Sequence, residues 1–148
     1  MMLPGPPSLG KLRIAAPEDV LRLGIVAAAG FRYSEHFMWE RPYHENYPLD
    51  TIIHYRHEAV EYIRSPTHVV LVALDLYDPD ESNKTKAVIP KDSGWESPAA
   101  GEEVVVGLAI WRLEPGSKRR GKFQNNRGGH VHLPSRAVSY LSVGRHLS

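Results

Sequence analysis

Two pairs of histidine and glutamate lie four residues apart in the stretch 48–64, a spacing that puts both members of a pair on one helix face. The pairs are His54 with Glu58 and His57 with Glu61. Such side chains could hold a metal ion, but the run is not His-Glu-x-x-His and no third ligand is evident. We therefore expect a solvated polar helix face and no metal site.

The sequence gives no support for nucleophilic catalysis through cysteine or serine. It contains no cysteine, which removes thiol nucleophiles, disulfides and cysteine–zinc sites together. It also contains no Gly-x-Ser-x-Gly elbow of the hydrolase type. No apolar run reaches the roughly 18–20 residues of a membrane span. The first ten residues lack the apolar core of a secretory signal. These features predict an intracellular protein, cytoplasmic or nuclear, without a membrane partner.

The stretch from Phe31 to Tyr47 is the most aromatic part of the chain and holds six of its 13 aromatic residues. Large rings clustered in this way are usually buried in a core or an interface. The alternative is that the rings form the wall of a binding cleft. The sequence leaves both interpretations open.

The elements that flank this stretch follow from the spacing of apolar residues. Residues 11–15 alternate as a short strand. Pro17 and two acidic residues then begin a helix that ends near Gly30. A second helix is predicted from Pro48 to about Arg64, with charged residues that include Arg56 on its solvent side. Its apolar stripe consists of Ile52, Tyr55, Ala59 and Ile63.

Two apolar runs, His68–Tyr77 and Glu102–Glu114, predict buried strands. The second run is so apolar that we expect both of its faces to be covered. Gly107 in its middle indicates a bulge or a close backbone approach. Residues 78–101, between the two strands, are polar, contain three prolines and show no period. We expect them to form a disordered surface loop.

Charge divides the chain near Glu114. Residues 1–114 carry 11 Lys and Arg against all 17 acidic residues, a net charge of −6, and residues 115–148 carry 7 Lys and Arg and no acid, a net charge of +7. We predict a flexible leader at 1–10, an ordered part at 11–114 and a basic, mostly disordered tail at 115–148. A nucleic-acid partner is not expected from so modest a basic patch.

The segments KLRIAAPEDVLRL, VVLVALDL and EVVVGLAIWRLE resemble, in their order and spacing, the N-terminal half of the fungal-type GNAT superfamily of N-acetyltransferases. The similarity covers roughly residues 11–114. It implies an α/β (α+β) fold, with an incomplete GNAT-like sheet of three antiparallel strands in the order 1-2-3. Two helices would lie largely on one face of that sheet.

The resemblance implies acetyl-CoA as the cofactor and a small-molecule or peptide amine as the acceptor. In the family, a neutral amine attacks the thioester of acetyl-CoA directly. The region between the first two helices commonly lines the acceptor site. By this resemblance, the acceptor-lining residues are Phe31, Tyr33, Phe37, Trp39 and Tyr43.

The family's pyrophosphate loop, Gln/Arg-x-x-Gly-x-Gly/Ala, has no counterpart in this sequence. The most similar segment, Lys118–Phe123, has lysine at the first position and a bulky phenylalanine where a small residue is needed. We therefore expect a truncated N-acetyltransferase that is inactive as this chain alone and does not bind acetyl-CoA.

An unfinished sheet would leave a long apolar edge at its third strand. We predict self-association through Val104–Leu113, unless Ala137–Val143 or another partner covers this edge. The alternative function is a non-enzymatic interaction module that uses the aromatic segment 31–47 together with the open edge.

Overall fold

A computed structural model describes residues 11–122 of the chain. The leader at 1–10 and most of the basic tail, including the predicted strand at Ala137–Val143, lie outside the described residues. Within residues 11–122, three strands and four α-helices follow one another. Their bounds are β1 Leu12–Ile14, α1 Val20–Phe31, α2 Glu35–Glu40, α3 Pro48–Arg64, β2 His68–Leu76, α4 Glu81–Lys84 and β3 Glu103–Arg112, with a 3-10 turn at Pro17–Asp19 before α1.

The three strands form one antiparallel sheet in the order β1-β2-β3, which confirms the predicted topology. β2 is the central strand. Val72 of β2 lies opposite Arg13 of β1 on one side and Leu108 of β3 on the other. The β2–β3 register shifts between Ala73 and Leu74, so one extra β3 residue, Val106, forms a bulge next to Gly107.

The core lies between one face of the sheet and the helices α1 and α3. Alternate residues of β2 point into it because successive side chains of a strand point to opposite faces. The buried cluster comprises Ala15, Val20, Leu23, Ile53, Ala59, Ile63, Val70, Val72, Leu74 and Val105. The two helices predicted from the sequence are α1 and α3, and α2 and α4 are additional short helices.

The expectation that both faces of β3 are covered is wrong for most of the strand. Only Val104 and Val105 are buried, whereas Trp111 is 63% exposed. Helix α1 and the segment before β3 cover the beginning of this strand, whereas no described element covers its end.

Helices α1 and α3 approach closely at Gly24. A Cβ atom at this position would lie 2.6 Å from both the Ile52 carbonyl oxygen and Arg56 Cγ. Arg56, expected in solvent, is instead 1% exposed. Its Nε and Nη2 both donate to the Leu21 carbonyl, and Nη1 donates to the Ser93 carbonyl at 2.6 Å. Burial lowers the pKa of Arg56 to about 10, so the guanidinium stays charged at neutral pH.

Residues 78–101 differ from the disordered loop that the sequence predicted. Ser93 is buried and accepts the hydrogen bond from Arg56. Trp95 packs on the small cluster of Ile25, Ala28 and Ile52 and makes an edge contact with Tyr77 at 6.0 Å between ring centroids. The segment packs on the core because two buried arginines bind it. Arg22 of α1 binds the Glu81 side chain, and Arg56 of α3 binds the Ser93 carbonyl.

In the part of the chain that the structure describes, no helix combines the length and the apolar character that crossing a bilayer requires.

Candidate functional site

A cleft of about 570 Å³ lies between helix α1, the outer side of β3 and the segment that contains α4. Its volume falls in the usual range of small-molecule sites. Apolar side chains of α1 and β3 line its inner part, and they include Ile25, Val26, Ala29, Val106 and Leu108. Two aromatic residues, Phe31 and Tyr33, lie at the end of α1 that borders the cleft.

One wall of the cleft is fixed by Arg22 of α1, which is 5% exposed. Its two Nη atoms donate to the two carboxylate oxygens of Glu81, each at 2.7 Å. Its Nε donates to the Val105 carbonyl at 2.9 Å, and its guanidinium lies 4.7 Å from the centre of the Trp95 ring. Arg22 therefore holds α4 and the strand start against α1.

The outer rim carries a second ion pair, between Lys84 and Asp78. The hydrogen bond from Lys84, together with one from the Asp80 N–H, lowers the pKa of Asp78, and the same contact raises the pKa of Lys84. In each of the two ion pairs, Arg22–Glu81 and Lys84–Asp78, the opposite charges thus compensate each other. The cleft therefore offers an apolar interior, two aromatic rings and no uncompensated charge among these four side chains.

The structure separates the five predicted acceptor-lining residues into two groups. Phe31 and Tyr33 line the cleft. Phe31 stacks on Tyr55 at 5.2 Å between ring centroids, and the Lys86 ammonium lies 4.7 Å from the Tyr33 ring.

The other three residues do not line the cleft. Phe37 is 2% exposed and packs edge-on against His44. Trp39 is 79% exposed and Tyr43 is 71% exposed. Of the two interpretations of the aromatic stretch, core packing holds for Phe37 and a cleft wall holds for Phe31 and Tyr33.

Sequence reasoning missed Arg22, which positions the cleft wall. The available signal was its place in the run VLRLGIVAAAG, where it is a lone charge within an otherwise apolar helix. A charged residue so placed is buried only with a partner. Its partner Glu81 lies 59 residues away and cannot be identified from local spacing.

His44 anchors the turn between α2 and α3. It is buried, its Nδ1 lies 2.9 Å from Thr51 Oγ1, and its ring contacts Phe37. Burial lowers the pKa of His44, and the nearby cations Arg32 and Arg41 lower it further against the opposing effect of Glu45.

We expect the protein to lose stability as the pH falls below the unfolded-state pKa of His44, about 6.5. Below this pH, His44 binds a proton more readily in the unfolded chain than in the folded chain. The free energy of unfolding therefore falls with decreasing pH, by at most about 1.4 kcal/mol per pH unit for this one group. Urea unfolding between pH 7.5 and pH 5 measures it. A His44→Gln variant should flatten this dependence, whereas the exposed-residue control His36→Gln should not. An unchanged slope in His44→Gln would refute the assignment.

The predicted polar face of α3 is solvated only in part, since Arg56 is buried and His57 Nε2 is buried without a hydrogen-bond partner among the described residues. His54 lies 3.6 Å from Glu58, and both side chains are exposed. Within residues 11–122, no cluster of three or more His, Asp or Glu side chains suits a metal ion.

These observations define a mixed α/β domain with an apolar, aromatic-rimmed cleft beside β3, an edge strand of the described sheet. A protein of Stachybotrys chartarum (strain CBS 109288 / IBT 7711) that is called an acetyltransferase is 32% identical to this chain over 117 residues. The aligned region is 79% of this chain and 41% of that relative, so the chain spans less than half of the relative's length. No family model matches the chain, and no solved structure matches it.

Proposed function

We propose that this chain forms the amine-acceptor side of a GNAT-type, acyl-CoA-dependent N-acetyltransferase. The observation that carries the proposal is the cleft at the C-terminal end of α1, bordered by Phe31 and Tyr33. This is the region to which the resemblance assigns the acceptor site. The similarity to a fungal protein called an acetyltransferase supports the same class of reaction.

The composition of the cleft favours an amine with an apolar body. Ile25, Val26 and Leu108 would bury the hydrocarbon part, at roughly 25 cal/mol per Å² of apolar surface removed from water. Tyr55 stacks on one face of Phe31, and the Lys86 ammonium lies over one face of Tyr33. We therefore propose that a cationic head group binds the second face of these rings, since aromatic rings bind ammonium groups at their faces. The amine must then lose a proton before its nitrogen attacks the thioester carbon. If acetyl-CoA were bound beside the cleft, it would supply the acyl carbon: a C–N bond would form, the C–S bond would break, and the departing coenzyme A thiolate would take up the proton that the nitrogen releases.

The coenzyme side of the reaction is a separate proposal. Holding the diphosphate of acetyl-CoA needs several free backbone N–H groups or unpaired cations. Of the two cations that line the cleft, Arg22 already binds Glu81 and the Val105 carbonyl, and Lys84 is paired with Asp78. We propose that this chain alone does not bind acetyl-CoA tightly and does not acetylate.

Binding of an arylalkylamine such as phenethylamine tests the acceptor proposal. In methyl-labelled protein, we expect its addition to shift the signals of Ile25, Val106 and Leu108. We expect Tyr33→Ala to weaken binding at least about 2-fold, because the ring's attraction is worth at least about 0.5–1 kcal/mol. The control Trp39→Ala should leave the affinity unchanged. Shifts confined to residues near Trp39 would contradict the proposal and favour the interaction module.

Calorimetry with acetyl-CoA, run on the same sample, tests the coenzyme proposal independently. We expect no heat of binding in the micromolar range and no release of free coenzyme A in the presence of the amine. Micromolar binding, or turnover of the thioester, would overturn the coenzyme proposal and leave the acceptor proposal standing.

A further inference from the structure

The outer edge of β3 presents unpaired backbone groups over the segment Leu108–Arg112. Ala15 N–H donates to the Val70 carbonyl, so the backbone of Val70 faces β1. Ile110 lies opposite Val70 and therefore directs its own N–H and C=O away from β2. The Leu113 N–H donates to Thr67, which fixes the same alternation from the other end. No other described strand pairs with this edge.

The first part of β3 is less suited to pairing than the second. The bulge at Val106 interrupts the alternation of its side chains, and bulges are a recognised means of preventing strand addition. Arg22 also donates to the Val105 carbonyl from α1. Beyond the bulge, residues 107–112 pair with β2 in unbroken register. The usable edge is thus Gly107–Arg112, shorter than the Val104–Leu113 segment that the sequence predicted.

We propose that the segment Gly107–Trp111 pairs antiparallel with the same segment of a second copy of the chain, with Ala109 on the two-fold axis. In this register Leu108 lies opposite Ile110 of the second copy on the helix-facing side. The two residues can exchange both backbone hydrogen bonds because their N–H and C=O groups point outward. On the other side, Trp111 lies opposite Gly107 of the second copy.

The side-chain pattern fits this register. A Cβ atom at Gly107 would contact only Ala73 Cβ, at 3.5 Å, so the surface over Gly107 is free to receive a large ring. Trp111, 63% exposed, supplies that ring, and aromatic cover of an edge glycine is a stabilising cross-strand pair. Ala109 at the axis leaves space between the two indoles.

Charge complementarity favours a second copy as the occupant. The exposed carboxylates Glu102 and Glu103 lie at the start of β3. The strand ends at Arg112, which is followed by one acidic residue, Glu114, and then by Lys118, Arg119 and Arg120, so this end is basic on balance. The turn that follows β3 is held to the same end of the sheet, because Gly121 N–H donates to the Pro66 carbonyl. In an antiparallel pair, the acidic start of each strand lies beside the basic end of the other. A parallel arrangement would place like charges together.

The same register brings the second copy to the cleft. Arg112 of the second copy lies opposite Val106, which lines the cleft. The dimer would therefore narrow the open side of each cleft and place a guanidinium at its border.

Cysteine cross-linking of the full chain tests the register, because the native chain has no cysteine. Directly opposed Cβ atoms lie about 4.5–5.5 Å apart, so Ala109→Cys should form a disulfide-linked dimer under mild oxidation. The matched control Arg112→Cys places its two thiols roughly 20 Å apart in this register, and it should cross-link at least about 10-fold more slowly. Equal rates for the two variants would overturn the register.

Sedimentation velocity across a concentration series tests the association itself. We expect the native chain to form a reversible dimer and Ile110→Lys to be a monomer, because a lysine on a strand edge opposes pairing. Trp39→Lys, a substitution at an exposed aromatic residue away from β3, should dimerise as the native chain does. Circular dichroism checks that each variant is folded. A native monomer throughout the series, or a dimer that persists in folded Ile110→Lys, would overturn the proposal.

Discussion

Replacing Arg56 by alanine is expected to destabilise the domain by about 2–5 kcal/mol, a large share of the 5–15 kcal/mol of a typical domain. The side chain is buried between α1, α3 and the segment before β3. Its removal leaves the Leu21 and Ser93 carbonyls without this donor and opens a cavity where the long side chain packed against Gly24. One substitution thus weakens contacts among three parts of the fold.

Urea unfolding of Arg56→Ala measures this loss, with Arg64→Ala as the matched control. Arg64 is an exposed arginine in the last turn of the same helix, and we expect a change within about 1 kcal/mol. Arg56→Lys should recover only part of the stability, since an ammonium cannot reproduce the planar fork that reaches both carbonyls. If Arg56→Ala and Arg64→Ala unfold at the same urea concentration, the bridging role of Arg56 is wrong.

Replacing Glu81 by alanine is expected to cost about 3–5 kcal/mol, because it leaves the buried Arg22 guanidinium without its carboxylate. The pair is bidentate, and the Arg22 side chain is only 6% exposed. The same change releases α4 from the wall of the cleft. We therefore expect faster proteolysis within residues 78–87 and weaker amine binding, together with a lower free energy of unfolding.

A double-mutant cycle separates the pair from the rest of the contacts. The double variant Arg22→Leu with Glu81→Ala removes the charge that Glu81→Ala alone strands in the core. We expect the double variant to be more stable than Glu81→Ala by at least about 1 kcal/mol. Lys84→Ala, which removes the exposed cation of the rim pair, is the control and should unfold at nearly the same urea concentration as the native chain. If Glu81→Ala is as stable as Lys84→Ala, the Arg22–Glu81 ion pair does not hold α4 against α1.

Local sequence determined most of the elements and their order. The alternation of 11–15, the helix-starting Pro17 and Pro48, and the two apolar runs predicted β1, α1, α3, β2 and β3 with boundaries close to those observed. These predictions hold because the spacing of apolar residues in a strand or a helix is visible within a short stretch of the chain. Gly107 likewise indicated the irregularity in β3 that the bulge at Val106 provides.

The tertiary structure decided which of these residues are buried and which form the cleft. Arg56 looks like an ordinary surface charge in the sequence, and Arg22 is a lone charge in an apolar helix whose partner cannot be read locally. Each is buried by a hydrogen-bonding partner far away in the chain, Ser93 for Arg56 and Glu81 for Arg22. The same contacts pack residues 78–101 on the core. Phe37 is buried because its ring packs against His44 in the turn that follows α2, whereas Trp39, two residues further on, is exposed. Such long-range pairings have no local period, and only the folded chain brings their partners together.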